Sequence, residues 1–173
     1  TNFADFQVLF SHAAAYPARN DRAILTALIQ QLLDPADPER YLVHANEGTS
    51  DITPFSFLSI ISTNDAQVPG LASDRAARNA GVPVLDSSAR LPYGLTPASG
   101  PIDGSAVVYW DGGYDSMPDD NSAPPVDDSG KAHNEIAPIV SVNEMVRLFL
   151  LTGVVNDTCD GTCTFDYETD SVM

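Results

Sequence analysis

The order of apolar patterns along this chain predicts an α/β fold, a parallel sheet with helical crossovers. Two short runs rich in β-formers, residues 55–62 (F-S-F-L-S-I-I-S) and residues 106–110 (A-V-V-Y-W), read as buried strands. A helical pattern separates them and a stronger one follows the second. Strand, turn, helix, strand, long loop, helix is an order that places parallel strands side by side. The 173 residues suit one domain or a large piece of one, and 43% hydrophobic content supplies a core.

From the start of the chain, residues 1–16 carry Phe3, Phe6, Leu9 and Phe10 at loose helical spacing, and Pro17 ends that segment. Asp21 opens a better helix, in which Ile24, Leu25, Leu28, Ile29, Leu32 and Leu33 keep the i, i+4 spacing until Pro35 and Pro38. Residues 40–54 are polar and irregular, which suits a loop. Residues 1–54 are therefore expected to form a helical segment, and residues 55–173 the α/β part. Within the latter, T-N-D-A-Q-V-P after the first strand makes a sharp turn carrying Asp65.

Residues 71–80 form the expected crossover helix, closed by Gly81 in the C′ position, and residues 82–85 a short extended piece. Residues 92–104 are expected to be loop. Beyond the second strand, residues 111–131 hold Asp111, Asp115, Asp119, Asp120, Asp127 and Asp128 among several prolines, and predict a long loop. Residues 141–152 are the clearest helix. Ser141 and Glu144 have capping-box spacing, Val142, Met145, Val146 and Phe149 make an apolar face, and Gly153 ends it.

Charge narrows the function classes. The formal net charge is −16 and Asp supplies 19 of the 24 acids, whereas Lys131 is the one lysine among 8 basic residues. Such a surface repels phosphate backbones and anionic headgroups, so nucleic-acid and polybasic membrane binding are excluded. It suits a soluble secreted protein, and adaptation to salt would use the same residues. Apolar runs such as residues 145–151, interrupted by Arg147, are too short to span a bilayer. The chain begins at Thr1 with neither signal peptide nor initiator Met, so a processed product of a longer precursor is expected.

Cys159 and Cys163 stand in C-D-G-T-C. A thiolate half-site for a metal would need a second Cys or His pair, and none follows. A disulfide closing a small loop is the expectation, contributing about 2 kcal/mol on the loop-entropy model and pointing to an oxidising, extracellular compartment.

Two residues have the setting that chemistry requires. Asp65 follows a predicted strand, and in open α/β sheets reacting groups gather beyond the carboxyl ends of strands. A carboxylate there can accept an imidazole Nδ1–H and fix its tautomer. His133, in K-A-H-N-E-I, falls in the loop after the second strand and before the last helix, where an imidazole can act as general base and then general acid. Each alone has a plain alternative: Asn64-Asp65 is good turn chemistry, and a histidine in a polar loop is often merely solvated. His12, in an apolar helix, and His44 compete for the role.

The residues around this pair carry a resemblance. The run from Phe57 through D-A-Q-V-P, then S-D-R-A-A-R-N-A-G-V-P, A-V-V-Y-W, K-A-H, the final helix and T-G-V-V-N-D-T-C-D-G-T-C resembles the C-terminal half of secreted bacterial α/β-hydrolases of the esterase and lipase type. The resemblance covers the chain from about residue 45 onward. In that fold the triad runs nucleophile, acid, histidine along the chain. It implies that Asp65 is the acid, that His133 is the general base, and that the helical first segment is a cap over the site.

The resemblance also implies what is missing. Neither a G-x-S-x-G elbow nor an H-G-G oxyanion segment occurs in the 173 residues, and Ser50 and Ser105 lack the required setting. The serine is therefore expected on an N-terminal fragment of the same precursor, which would cover the edge of a half sheet. A small ester or lipid is the implied substrate, and no cofactor is implied. Two rivals stand beside this reading. Thr1 could be an N-terminal nucleophile, although T-N-F-A-D-F reads as a helix start. The acidic loop could make the chain a calcium-binding or adhesion module, although its spacing matches no D-x-D-x-D-G loop.

Overall fold

A computed structural model describes residues 18–65, 68, 70–114 and 130–171. The expected helix over residues 1–16, with His12, lies outside the described residues, as do Thr1 and five of the six loop aspartates, Asp115, Asp119, Asp120, Asp127 and Asp128.

Four parallel strands form the main sheet. β1 (Leu58–Ser62), β2 (Val84–Leu85), β3 (Pro97–Ala98) and β5 (Ala106–Trp110) are arranged in the order β1-β5-β2-β3. The α/β class expected from the sequence is thus observed. β4 (Ile102–Asp103) lies outside this sheet and pairs antiparallel with β6 (Val154–Val155). The stretch 92–104, expected to be loop, therefore contains two short strands.

β5 lies inside the sheet, and every one of its largely hydrophobic side chains is buried. Successive side chains of a strand point to opposite faces, and the two resulting cores can be read off the sequence. Ala106, Val108 and Trp110 join Leu85, Val142, Met145, Val155 and Phe165 on one face. Val107 and Tyr109 join Ile61, Ala77, Ala80, Val82 and Val84 on the other. The first face is covered by the last long helix and the second by the crossover helix, which gives three layers.

The helices follow from their sequences with several corrections. α1 (Arg19–Leu33) starts two residues before Asp21 and stops two residues before Pro35, where Asp34 keeps helical dihedrals and the chain tightens into a 3-10 turn. Three short 3-10 turns follow at Asp34–Ala36, Pro38–Arg40 and Leu42–His44, where the sequence suggested irregular loop from residue 40. α2 (Gly70–Ala80) buries Asp74, Ala77 and Ala80, and Gly81 ends it at φ 65°. α3 (Lys131–Asn134) is a single turn.

α4 (Val140–Thr152) begins two residues earlier than the capping box requires, with Ile139 at the N-cap. Ser141 sits inside the first turn, so the proposed cap is not formed. Glu144 instead receives two hydrogen bonds from Arg147, each 2.7 Å, which hold its carboxyl below the ordinary carboxylate range. The expected end holds: Gly153 adopts φ 72° and its N–H donates to the Phe149 carbonyl.

The tail is more deeply built in than its position near the end of the chain suggests. Cys159 and Cys163 form the expected disulfide, and Cys163 is fully buried. Cys163 N–H donates to the Ser87 carbonyl, Asp111 N–H to the Cys163 carbonyl, and Phe165 N–H back to Asp111. Residues 163–165 thus lie along the exit of β5. The last one-turn helix, α5 (Tyr167–Asp170), is capped by Asp166, whose side chain accepts from Glu168 N–H.

A polar cluster bolts α2 to β5. Arg90 binds the Asp74 carboxylate with both terminal nitrogens, Tyr109 Oη donates to Asp74 Oδ1 at 2.7 Å, and the guanidinium lies 5.4 Å from the centre of the Tyr109 ring. With Asp74 only 5% exposed, these donors are what make its charge tolerable. Arg90 reaches solvent, so loss of Asp74 does not strand a buried cation. Asp74→Ala is expected to cost about 1–3 kcal/mol, read as a lower urea midpoint with an unchanged slope.

Alkaline pH should weaken the fold. Burial, then the hydrogen bond to and charge of Asp74, push the ionisation of Tyr109 above its ordinary value, and burial, then Glu135, act likewise on Tyr114. An unfolded tyrosine ionises near pH ~10, while the folded phenols hold their protons longer. This contribution is complete below about pH 10 and is lost as the pH rises from there through the higher folded values. Urea midpoints should fall from about pH 10 upward and fall less steeply in Tyr109→Phe; parallel profiles would contradict the assignment.

Candidate functional site

β1 and β5 run in register, with Leu58 opposite Ala106 and Ser62 opposite Trp110, so their carboxyl ends stop side by side. Thr63 N–H extends the ladder by one bond, to the Trp110 carbonyl at 2.8 Å. The chain then turns through Asn64, which takes the left-handed conformation at φ 64°. Asparagine is among the few non-glycine residues that adopt it at small cost. The turn delivers Asp65 to the rim of the sheet with its side chain only 10% exposed.

His133 arrives from the other strand. It lies in α3, where the sequence suggested loop, and Ala132 beside it is fully buried. The imidazole is 40% exposed, and its Nδ1 lies 2.8 Å from Asp65 Oδ2. An ionised carboxylate can only accept, so the ring donates its Nδ1–H, and in the neutral imidazole Nε2 then carries the lone pair. The other oxygen, Oδ1, accepts from Val68 N–H at 3.0 Å. The carboxylate is therefore oriented by a backbone donor while it orients the ring. A neutral imidazole whose tautomer is set by a buried acid can take a proton from a hydroxyl and return it.

Two further segments support the pair. The Asn64 side-chain amide donates to the Tyr114 carbonyl at 3.2 Å, and Tyr114 Oη donates to Glu135 Oε2 at 2.5 Å. The Tyr114 ring meets Phe165 edge-on, with centroids 6.1 Å apart. Asn64, Tyr114 and Glu135 were not legible as site residues in the sequence. The one available signal was adjacency, since Asn64 precedes Asp65 and Glu135 lies two residues after His133.

The other candidates are placed elsewhere. His44 ends a 3-10 turn and is exposed. The Asp111 carboxylate accepts from Gly113 N–H at 2.9 Å, a local turn contact. The metal half-site drawn on Cys159 and Cys163 is not available, because sulfurs joined in a disulfide are not thiolate ligands. No family model, curated protein or solved structure matches the chain.

The approach to the site is tightly packed at Gly112. A Cβ there would stand 2.6 Å from Phe165 Cζ and closer still to the Tyr114 ring. Gly113, at φ 70°, has open space instead. Gly112→Ala is therefore expected to cost about 1–3 kcal/mol by overpacking, visible as a lower melting temperature. A melting temperature equal to that of the parent would show that the rings yield without cost.

Proposed function

We propose that this chain supplies the acid and the general base of a carboxylic ester hydrolase, Asp65 and His133, and that a serine from a segment outside the 173 residues completes the triad. The observation that carries this reading is the 2.8 Å hydrogen bond between Asp65 Oδ2 and His133 Nδ1 at the carboxyl ends of adjacent parallel strands. Two residues 68 apart in the chain converge on the geometry that a triad needs between its acid and its histidine.

The chemistry follows from the tautomer. His133 Nε2 takes the serine proton as the hydroxyl oxygen attacks the ester carbonyl. Asp65 stabilises the imidazolium that forms, and Nε2 then protonates the departing alkoxide. In the second half a water gives its proton to Nε2 as it attacks the acyl-enzyme, and Nε2 then protonates the serine oxygen as its bond to the acyl carbon breaks, releasing the acid. The net charge of −16 favours a neutral or cationic ester over an anionic one.

The state of the sheet is consistent with a second segment. Among the described residues β1 is paired on one side only, and Leu58, Ser59 and Ile60 are just partly buried, whereas all of β5 is buried. Its sequence, L-S-I-I-S, has none of the charges or prolines that usually guard an exposed edge. Strands of an N-terminal fragment would extend the sheet there. The disulfide fits an extracellular setting.

Co-expression of this chain with the upstream part of its precursor gives the test. Asp65→Asn and His133→Ala should each lower turnover of p-nitrophenyl esters by about 10³- to 10⁴-fold while leaving the melting temperature within a few degrees. Turnover in His133→Ala close to that of the parent would overturn the proposal.

A further inference from the structure

We propose that Tyr114 is the positioning residue of the pair, joining the turn that bears Asp65 to the helical turn that bears His133; its effect on turnover rests on the hydrolase reading, its effect on the pair does not. Tyr114 bonds to both sides at once. Its carbonyl accepts from the side chain of Asn64, the residue immediately before the acid, and its hydroxyl donates to Glu135, two residues after the histidine.

A tether is needed because α3 cannot hold itself in place. Four residues are far too few for a helix to persist without tertiary contacts, since nucleation alone is unfavourable. Ala132 anchors α3 on one side by burial, and Glu135 N–H closes the turn on the Lys131 carbonyl. The Glu135 carboxylate then reaches Tyr114 Oη. The phenol is itself held in place. Its ring packs edge-on against Phe165, which is 6% exposed and lies just beyond the disulfide. A phenol is a donor at neutral pH in any case, and burial, then Glu135, push its ionisation further up. The chain of contacts thus runs from the buried Phe165, through one tyrosine, to a residue beside each member of the pair.

The consequence is geometric. A displacement of about 1 Å at a reacting group can cost 10²-fold in rate, and Tyr114 bonds to Asn64, next to the acid, and to Glu135, two residues after the histidine. Its role is to hold the spacing of the pair rather than to touch a substrate.

Tyr114→Phe isolates this role, because the ring on Phe165 and the carbonyl on Asn64 are retained and only the hydroxyl is removed. The primary readout is the His133 Nδ1–H resonance in NMR spectra of the full chain, with Asp65→Asn as the control that abolishes the ionised acceptor. In Tyr114→Phe the downfield resonance should be lost to solvent exchange while the melting temperature stays within a few degrees. Glu135→Gln, which keeps an accepting oxygen, should retain the resonance, and Glu135→Ala should lose it.

Should Tyr114→Phe fail to fold, Glu135→Ala removes the same bond from the other partner and decides the matter. Persistence of the parent resonance and exchange rate in both Tyr114→Phe and Glu135→Ala would overturn the proposal. With the upstream segment present, kcat for p-nitrophenyl esters should fall about 10-fold in Tyr114→Phe with KM unchanged. Absence of ester turnover in the parent protein would defeat the hydrolase reading and leave the resonance to judge the positioning role.

Discussion

The parallel pairing of β1 with β5 is the constraint on which the site depends. Because the two strands are in register and end together, the segments that leave them start about one strand spacing apart, ~5 Å. A left-handed turn at Asn64 on one strand and a buried anchor at Ala132 after the other lie on either side of the carboxylate and imidazole that meet at hydrogen-bonding distance. A shift of one residue in this register would move Ile60 and Ile61 to the wrong faces and separate the rims as well. Fold and site are therefore held by the same apolar side chains.

Those side chains divide in a way that explains the rigidity of the rim. β5 sends alternate residues into two cores, one under α4 and one under α2, so that neither helix can move without disturbing the strand. The Asp74–Arg90–Tyr109 cluster adds directional bonds between α2 and β5, and the tail adds a further layer at the exit of β5 through Cys163 and Phe165. The disulfide matters less for the small loop it closes than for where it leaves the next residues. Phe165 packs against Tyr114, and Tyr114 stands between the two halves of the site.

Partnership was harder to read than placement. Asp65 and His133 were each visible as residues that follow a buried strand, because the alternation of apolar residues and the turn chemistry are local signals. The supporting residues gave none. Tyr114 looks like any aromatic residue in a glycine-rich exit, Glu135 like a surface acid, and Asp74 like a polar position on an amphipathic helix. Their partners lie between 16 and 50 residues away, and no periodicity reports contacts at such distances. The capping box at Ser141 and Glu144 failed for the opposite reason. It is a local motif, but α4 starts at Val140 and Glu144 is taken by Arg147.

Local physics thus determined the class of the fold, the two principal strands, the crossover and final helices with their glycine ends, and the closure of Cys159 on Cys163. These follow from steric preferences and from hydrophobic alternation over a few residues, which a chain carries wherever it is placed. Tertiary structure decided the strand order, with β5 inserted between β1 and β2, the burial of Cys163 and Phe165, and the direct hydrogen bond between Asp65 and His133. Such choices depend on which distant surfaces exclude water together, and that is a property of the packed chain rather than of any segment of it.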